Sequence, residues 1–443
     1  MGGHVLKARK WILSGTTAAA SRSLAHTMLI ENGFILPSSK GFYSLLPLGQ
    51  RVIDKLCRIL DSEFQKIGAL KISMPLVGTK HLWDKTDRWE AMGAEMIKFE
   101  DRQKNQMCLQ PTAEEMCTEL IAQLSPFKKA QFPLMLYQIG DKFRDEMSPR
   151  FGLLRARQFL MKDMYSFATS AESSRETYAR VCHVYDTIFR EILQLADDVV
   201  RCEADSGVHG GVVSHEYHLK SSLDEDFVNH CEKCGQFNKS TEICCEGATR
   251  KVKSVEIGHT FHLGTKYSQV LGAKFTNQPL DMCCFGIGVS RILPAAVDAL
   301  SISKKALRLP RVISPFDAVI IVKKSLTSNV LVEMTSSSAS RYLKGGILLD
   351  DRVEMSAGRR IHEANQLGIP FIVVLANETE RSLVTSKPLV EVFTTHPKTE
   401  DPVAQGSMSL EQFVSFVQTS LYGSGPIGAN LAHCQVLDEL GSH

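Results

Sequence analysis

The segment Lys142–Tyr165, KFRDEMSPRFGLLRARQFLMKDMY, constrains the fold of this chain more than any other feature. It mixes four arginines with three carboxylates and many apolar residues: Arg144, Arg150, Arg155, Arg157, Asp145, Glu146 and Asp163. The apolar positions follow no clean helical period, and a buried core would leave each guanidinium in need of a partner. The pattern therefore indicates two strands joined by a loop, lining a pocket for a polyanion, because arginine grips phosphate bidentately. A nucleoside triphosphate is the first hypothesis for that ligand.

Length and composition set the broad class. The 443 residues predict about three domains, and a hydrophobic content of 44% is ample for sizeable cores. A net charge of +2 argues against a generic coat for nucleic acid, so such a partner would be met by local patches. No apolar run approaches the ~20 residues that span a bilayer, and we expect no membrane segment. Most cysteines lie in apolar runs, which favours a reducing compartment.

The N-terminus is basic and rich in hydroxyl groups, with no acidic residue before Glu31. This composition is typical of a mitochondrial transit peptide, which we assign to residues 1–27. The expected location is therefore the mitochondrial matrix. The alternative is a disordered tail on a cytoplasmic protein.

Hydrophobic periodicity divides the rest of the chain. Residues 28–305 mix amphipathic helices with strands and glycine turns, and predict one large domain. Residues 306–315, with prolines and basic residues, are interpreted as a linker. Strands alternate with helices over residues 316–421, which predicts a small α/β domain with a largely parallel sheet. The Gly- and Ala-rich residues 422–443 are expected to be a disordered tail.

Five motifs, taken in order, carry a family resemblance. They are GFYSLLPLGQRVIDKL at 41–56, PTAEE at 111–115, the segment 142–165, EIGHTFHLG at 256–264, and GIGVSR at 286–291. Over roughly residues 28–420 the chain resembles class II aminoacyl-tRNA synthetases, specifically the prolyl-tRNA synthetases of the bacterial and mitochondrial type. The resemblance implies an α+β catalytic domain built on an antiparallel sheet with flanking helices, followed by an α/β anticodon-binding domain. The first motif forms the dimer interface in the class and implies a homodimer.

The resemblance also implies the residues that bind ATP and Mg²⁺: Arg144, Glu146, Arg155, Phe159, Glu256 and Arg291. Arg144 is expected at the α-phosphate and the proline carboxylate, where a fixed guanidinium stabilises developing charge. Glu146 would lie near the adenine amine, Phe159 would stack on adenine, and Arg155 would reach the terminal phosphates. Arg291 would hold the γ-phosphate, and Glu256 would contact ATP or its magnesium. Arg144, Arg291 and Glu146 are the expected catalytic set, and the glycines before Arg291 are interpreted as a phosphate-binding turn.

The same resemblance implies that Thr112, Glu114, Arg144 and Phe261 bind L-proline. A carboxylate at Glu114 and a hydroxyl at Thr112 suit the secondary ammonium of that amino acid. From the residues alone, an equally sensible interpretation makes Thr112 a helix N-cap with Glu115 in a capping box.

No metal ligand is assigned. His259 and His262 lie three apart on an expected strand and would point to opposite faces. Cys231 and Cys234 have the spacing of zinc ligands. The following pair, Cys244 and Cys245, is adjacent and suits a tetrahedral site poorly, so a reduced hairpin is the favoured interpretation and zinc stays open.

In the C-terminal domain the segment GILLDDR at 346–352 and the helix after it resemble the anticodon-binding domain of this subgroup. Asp351, Arg352 and Arg359, with Arg360, are the candidates for reading unstacked bases of tRNA(Pro). The competing interpretation of Arg359 and Arg360 is a solvated helix face.

Only 118 residues separate Phe167 from Gly286 (286 − 167 − 1), which leaves no room for the large editing insertion of many bacterial relatives. The expected reaction is ATP-dependent ligation of proline to tRNA(Pro) through a prolyl-adenylate. One alternative is a non-catalytic, synthetase-like accessory protein. Another is a synthetase for a different amino acid such as threonine, which the PTAEE loop disfavours.

Overall fold

The computed structural model describes most of the chain in two compact units. Described are residues 6–13, 15–17, 21–204, 207, 211–239, 245, 247–324, 326, 343, 345–382, 388–395 and 399–422. One unit comprises Pro37–Tyr43 and Leu56–Ala295, and the other Met1–Leu36, Ser44–Lys55 and Ala296–His443. Contacts therefore group residues 28–36, 44–55 and 296–305 with the C-terminal residues, which differs from the predicted boundaries. Within the described residues, no helix is long and apolar enough to cross a membrane.

A nine-stranded sheet is the centre of the first unit. Its strands are β1 (Leu70–Lys71), β2 (Leu134–Phe143), β3 (Gln158–Ala168), β4 (Val199–Glu203), β5 (Val213–Lys220), β6 (Asp226–Cys231), β7 (Phe237–Asn238), β8 (Thr249–Gly264) and β9 (Asp281–Gly288). Their order across the sheet is β5-β4-β7-β6-β8-β9-β3-β2-β1. The pairs β1–β2 and β4–β7 are parallel, whereas the long central strands pair antiparallel. The expected antiparallel sheet is confirmed.

The arginine-rich segment forms two strands and a loop, as its pattern predicts. Strands β2 and β3 are antiparallel, with Leu134 opposite Phe167 and Phe143 opposite Gln158. Residues 144–157 connect them, so the loop and the first residues of β3 carry the arginines. Side chains alternate between the two faces of a strand, which lets one strand present both a core face and a ligand face.

Four helices flank or follow this sheet in the sequence: α1 (Pro47–Lys66), α2 (Glu114–Leu124), α3 (Ala171–Asp186) and α4 (Val289–Leu300). The amphipathic face of α1 is buried at Leu56, Leu60 and Phe64, and Gly68 follows with φ +83°. The side chain of Ser170 caps α3, as predicted, by accepting from the backbone N–H of Ser173. A π-helical turn, Thr187–Ile192, extends α3.

Shorter elements complete the first part of the chain. They are the strands Leu6–Lys7, Ile35–Ser39, Phe42–Leu45, Val77–Thr79, Lys98–Glu100, Gln106–Leu109, Lys274–Phe275 and Gln278–Pro279, and the helices Ala8–Trp11, Leu24–Glu31, Lys80–Asp84, Arg88–Ala91 and Lys266–Leu271. The predicted strand over residues 70–75 is confined to Leu70–Lys71, because Pro75 and its neighbours do not join the ladder.

The second unit is built on a six-stranded sheet. After Leu6–Lys7, its strands are β10 (Ala318–Val322), β11 (Ile347–Asp350), β12 (Phe371–Leu375), β13 (Leu389–Thr394) and β14 (Val403–Ser409). The order is Leu6–Lys7, β11, β10, β12, β13, β14, parallel up to β12 and antiparallel beyond it. Helices α5 (Ala357–Gln366) and α6 (Leu410–Tyr422), and the short helix Asn377–Ser382, accompany the sheet. The predicted small α/β domain is therefore present.

Two segments of the second unit differ from expectation. Residues 306–315, predicted as a linker, are largely buried, because Arg308 donates to the carbonyl of Thr399 and Ser314 donates to that of Gly368. Part of the assigned transit peptide is also ordered, since Leu6–Lys7 pairs with β11 and Arg9 forms an ion pair with Glu354 at 2.8 Å. The tail after residue 422 lies outside the described residues.

Candidate active site

A cavity of about 300 Å³ opens on the central strands of the large sheet. Strands β3, β8 and β9, the start of α2, the β2–β3 loop and the first turn of α4 all contribute to its wall. Seven residues predicted from the sequence line it: Thr112, Glu114, Arg144, Phe159, Glu256, Phe261 and Arg291. Segments distant in sequence therefore converge where the resemblance placed a single site.

Two guanidinium groups dominate the electrostatics of the cavity. Burial lowers the pKa of Arg144, and the positive charge of Arg291 lowers it further, while nearby carboxylates offset part of this. The Arg144 guanidinium lies 5.4 Å from the centre of the Phe159 ring, and its Nε has no hydrogen-bond partner among the described residues. Two arginines held close together favour an anion between them, since an anion stabilises both charged forms.

Glu256 on β8 is the carboxylate nearest to this pair. Burial raises its pKa, but a hydrogen bond with His259 and the charges of His259 and Arg291 outweigh burial and hold the pKa well below its usual range. Arg291 Nη1 donates to the carbonyl of Glu256 at 2.9 Å and lies 3.7 Å from its Oε2. Glu256 therefore stays ionised, and a hard cation such as Mg²⁺ suits an ionised carboxylate beside a phosphate site.

The other end of the cavity holds a buried carboxylate. Glu114 is 0% exposed and accepts from Arg88 Nη1 at 3.0 Å, from the Cys284 thiol at 3.0 Å and from the Thr112 hydroxyl. Because a carboxylate offers about four acceptor positions, one further donor can be received from the cavity. This arrangement suits a small ligand that carries an ammonium group.

The structure decides against the capping interpretation of this loop. Helix α2 begins at Glu114, its N-cap is Ala113, and no side chain caps it. Thr112 instead donates to Glu114, and Glu115 turns inward to Arg88 at 2.9 Å. Burial raises the pKa of Glu115, although the charge of Arg88 opposes this.

Buried hydrogen bonds behind the cavity fix the start of α2. The Tyr165 hydroxyl accepts from the backbone N–H of Ala113 at 2.9 Å and donates to Asp163 at 2.9 Å. Asp163 also accepts from Lys142 and Gln138, both at 2.8 Å. Asp163 thus serves lysine, amide and phenol groups rather than the arginines to which the sequence linked it.

The wall of the small pocket is aromatic. Phe261 is 6% exposed, and His259 stacks on it with ring centroids 3.8 Å apart. His259 faces Glu256 at 3.3 Å, whereas His262 bonds to Asp281 at 2.9 Å. The two histidines have separate partners, in agreement with their predicted placement on opposite faces of the strand.

Glu146 and Arg155 are not among the residues that line the cavity. They form an ion pair with each other at 2.8 Å, and Arg155 also lies 3.5 Å from Glu225. Arg150 pairs with Glu225 at 2.8 Å, and Arg157 lies 3.2 Å from Asp145. In this arrangement Arg155 is engaged by carboxylates, so contact with terminal phosphates requires its side chain to change partner.

The predicted glycine turn before Arg291 is wrong. Gly286 and Gly288 are the last residues of strand β9, and helix α4 follows at once. Both glycines line the cavity, and a Cβ at Gly288 would lie 3.3 Å from Arg291 Cβ. Their role is to leave room beside a strand rather than to bend the chain.

The anticodon candidates lie in the second unit. Arg352 pairs with Asp350 and Glu363, both at 2.7 Å, and the exposed Arg359 lies 3.2 Å from Glu363. Asp351 accepts from the backbone N–H of Arg9 at 3.0 Å. Arg360 is a different case, because it is 1% exposed and donates to the carbonyls of Asp350 and Val322. It is neither a solvated residue nor one that can reach a base.

Sequence reasoning missed several residues of the site. Arg88, Asp163, Tyr165 and Cys284 bond to the proline-loop residues or to one another. Alternation along β3 and β9 would have placed Asp163 and Cys284 on defined faces. No local pattern marks Arg88, whose partners lie more than twenty residues away.

The comparisons with known proteins agree with this geometry. The model of the tRNA synthetase class II core domain (G, H, P, S and T) matches residues 97–300, and that of an anticodon binding domain matches residues 317–420. These two matches define a class II aminoacyl-tRNA synthetase.

Similar whole proteins narrow the class. A probable mitochondrial proline–tRNA ligase of Rattus norvegicus is 40% identical over 368 residues, covering 78% of this chain and 76% of the relative. The proline–tRNA ligase of Ehrlichia chaffeensis is 32% identical, with coverages of 90% and 96%. The fold matches Giardia lamblia prolyl-tRNA synthetase in complex with prolyl-adenylate, with a TM-score of 0.70 at 16% identity over 90% of this chain and 79% of that one. The chain belongs to the proline–tRNA ligase family.

Proposed function

We propose that this chain ligates L-proline to tRNA(Pro) with ATP, through a prolyl-adenylate. The carrying observation is the meeting of Arg144 and Arg291 at one end of a cavity whose other end holds Glu114. A pair of guanidinium groups suits the phosphates of ATP, and a buried carboxylate suits the ammonium of an amino acid. The Giardia relative, which binds prolyl-adenylate, supports this choice of ligands.

In the first step, a carboxylate oxygen of proline attacks the α-phosphorus of ATP and pyrophosphate leaves. Charge grows on the phosphoryl oxygens, and Arg144 stabilises it from a fixed position. Arg291 holds the terminal phosphates, and Phe159 provides a face for adenine. In the second step, a ribose hydroxyl of tRNA attacks the carbonyl carbon of the anhydride, and AMP leaves. Positioning and electrostatic stabilisation are sufficient, so no protein nucleophile is required.

Proline recognition is assigned to Thr112, Glu114 and Phe261. The ammonium of proline donates to Glu114, and the ring packs against Phe261. Glu146 and Arg155 complete the nucleotide site once ATP releases Arg155 from Glu146. Glu146 would then face the adenine amine.

Magnesium accompanies ATP in this proposal. Glu256 is the residue that would hold it, because its carboxylate faces the cavity and remains ionised. When bound, the metal neutralises part of the phosphate charge.

We further propose a homodimer in the mitochondrial matrix. The relatives named as mitochondrial, and the basic N-terminus, support the location; the cytoplasm is the alternative. Asp351, Arg352 and Arg359 are proposed to contact the anticodon. Light scattering on the purified chain tests the dimer, and cell fractionation tests the location.

Charging of a tRNA(Pro) transcript with labelled proline tests the proposed reaction. The wild-type chain should charge it, whereas Arg144→Ala and Arg291→Ala should not, and Arg150→Ala serves as the matched arginine control. A folded wild-type chain that binds tRNA without charging it would instead indicate the accessory protein.

A further inference from the structure

Three cysteines meet at the end of the hairpin that joins β6 to β8. Cys231 is the last residue of β6 and lies opposite Thr249, the first residue of β8. The sulfur atoms of Cys231, Cys234 and Cys245 all lie within 4.8 Å of one another, and those of Cys231 and Cys245 are 3.3 Å apart. This cluster lies outside the residues that line the cavity described above.

The backbone around the first two cysteines forms a tight turn. Cys231 accepts at its carbonyl from the N–H of Gly235 at 2.9 Å, and its own N–H donates to Gln236 at 2.9 Å. Gly235 adopts φ +73°, a conformation that glycine enters at little cost. The turn holds Cys231 and Cys234 on the same side of the hairpin, and the CxxC spacing follows from it.

A second short turn brings Cys245 to the first. The N–H of Gly247 donates to the carbonyl of Cys245 at 2.7 Å. A Cβ on Gly247 would lie 3.0 Å from Cys231 Sγ and 2.5 Å from Lys233 Cβ. Only a residue without a side chain fits between the two turns, so the close approach of the thiols is built into the backbone.

The local hydrogen bonds favour thiolate. The backbone N–H of Cys234, the Cys245 thiol and the backbone N–H of Lys233 act on Cys231 and lower its pKa to about 6. Thiolate is the form that binds metal, and a partly ionised thiol gives up its proton readily to one.

The sulfur separations match the geometry of a thiolate-bound zinc ion. With Zn–S bonds of about 2.3 Å in a tetrahedral site, two ligand sulfurs lie about 3.8 Å apart. The observed range of 3.3 to 4.8 Å brackets that value, whereas a disulfide needs about 2.05 Å. We propose that Cys231, Cys234 and Cys245 bind one Zn²⁺ ion, which fixes the β6–β8 hairpin.

Binding replaces the thiol protons by the metal and releases them to solvent. The ion would tie the start of β8, the strand that carries Glu256, His259 and Phe261. Its role is therefore structural, and catalysis does not pass through it.

Zinc content of the full chain, purified under reducing conditions without chelator, tests the proposal. We expect about one zinc per chain by elemental analysis, as for a structural site. Cys231→Ser and Cys245→Ser should each lose most of the metal, whereas Cys57→Ser, which removes a half-buried thiol on α1, should keep it. Equal zinc in all of these variants would overturn the proposal.

A second measurement does not depend on the folding of variants. Wild-type chain, stripped of metal and titrated with Co²⁺, should develop thiolate-to-cobalt charge-transfer absorption and the visible bands of a tetrahedral site. Absence of both zinc and these bands would overturn the proposal. A disulfide between Cys231 and Cys245, found by mass spectrometry of anaerobically prepared protein, would also overturn it.

Discussion

Arg88 Nη1 lies 3.0 Å from Glu114 Oε2 and 2.9 Å from Glu115 Oε1, and all three side chains are at most 1% exposed. Burial alone lowers the pKa of Arg88, but the charges of Glu114 and Glu115 outweigh it and raise the pKa. The rings of Trp83 and Tyr267 flank the guanidinium at 5.0 and 5.6 Å. One buried cation therefore holds the carboxylate that we assign to proline.

Replacing Arg88 should weaken proline binding and destabilise the fold. Arg88→Ala leaves two buried carboxylates without their cation, which typically costs about 3–5 kcal/mol of the free energy of unfolding. Arg88→Lys keeps the charge but loses the guanidinium geometry, so we expect a folded chain with a raised KM for proline and a nearly unchanged KM for ATP.

Steady-state pyrophosphate exchange, with proline and ATP varied separately, measures this difference. Lys80→Ala, which breaks an exposed ion pair with Asp84, is the control and should behave as wild type. Equal changes in both KM values for Arg88→Lys would show that Arg88 does not act through the proline site.

Arg144 should matter to the rate more than to binding. Arg144→Lys keeps a positive charge but cannot form two parallel hydrogen bonds with a phosphoryl group. We expect kcat for adenylate formation to fall about 10²–10³-fold, the usual effect of removing one transition-state donor. Arg150→Lys, whose native partner is Glu225 on the surface, should retain its rate. An unchanged kcat for Arg144→Lys would remove Arg144 from the catalytic set.

Lys162 should make stability depend on pH. It is 0% exposed, and burial holds its pKa well below the usual range. The folded chain then lacks a proton that the unfolded chain binds, so the free energy of unfolding rises with pH until about 10.4, by at most about 1.4 kcal/mol per pH unit. Lys162→Met should remove this slope and stabilise the chain most at low pH.

Chemical denaturation at several pH values measures the slope. The exposed Lys98 supplies the control variant, Lys98→Met, which should leave the slope of wild type in place. If Lys162→Met and wild type show parallel pH profiles, Lys162 is protonated in the folded chain.

The chain should activate alanine and fail to correct the error. Alanine is smaller than proline, so a pocket walled by Phe261 discriminates against it by only about 10–200-fold. The described residues between Phe167 and Gly286 form α3 and strands β4 to β9, with no further domain among them. We expect alanine-dependent exchange and no hydrolysis of alanyl-tRNA(Pro) above the uncatalysed rate. Rapid hydrolysis by the pure chain would reveal an editing site.

The N-terminal segment should stabilise the second unit. The Trp11 ring meets the Phe316 ring at 6.2 Å, and Arg51 lies 5.4 Å from the centre of the Trp11 ring. Because Trp11 is only half-buried, Trp11→Ala should cost about 1–2 kcal/mol, below the range for a buried aromatic. Thermal unfolding of the full chain measures this, with the exposed Leu13→Ala as control. Equal Tm values would mean that residues 6–13 contribute nothing to the fold.

The sequence predicted those parts of the site that local patterns encode. Alternation and charge in residues 142–165 predicted the β2–β3 pair, and separate motifs supplied Arg144, Glu256 and Arg291. Arg88 escaped because its environment is made by long-range packing, and no spacing rule links it to Glu114. Arg308 and Arg360 misled for a related reason: arginine suggests solvent, yet backbone carbonyls satisfy both inside the second unit.

ATP–pyrophosphate exchange with each standard amino acid in turn tests the central claim most directly. The full chain should exchange strongly with proline, weakly with alanine, and not with threonine, and Glu114→Gln should lose the proline signal first. Exchange with another amino acid alone would contradict proline as the substrate. A folded, ATP-binding chain that exchanges with no amino acid would contradict catalysis itself.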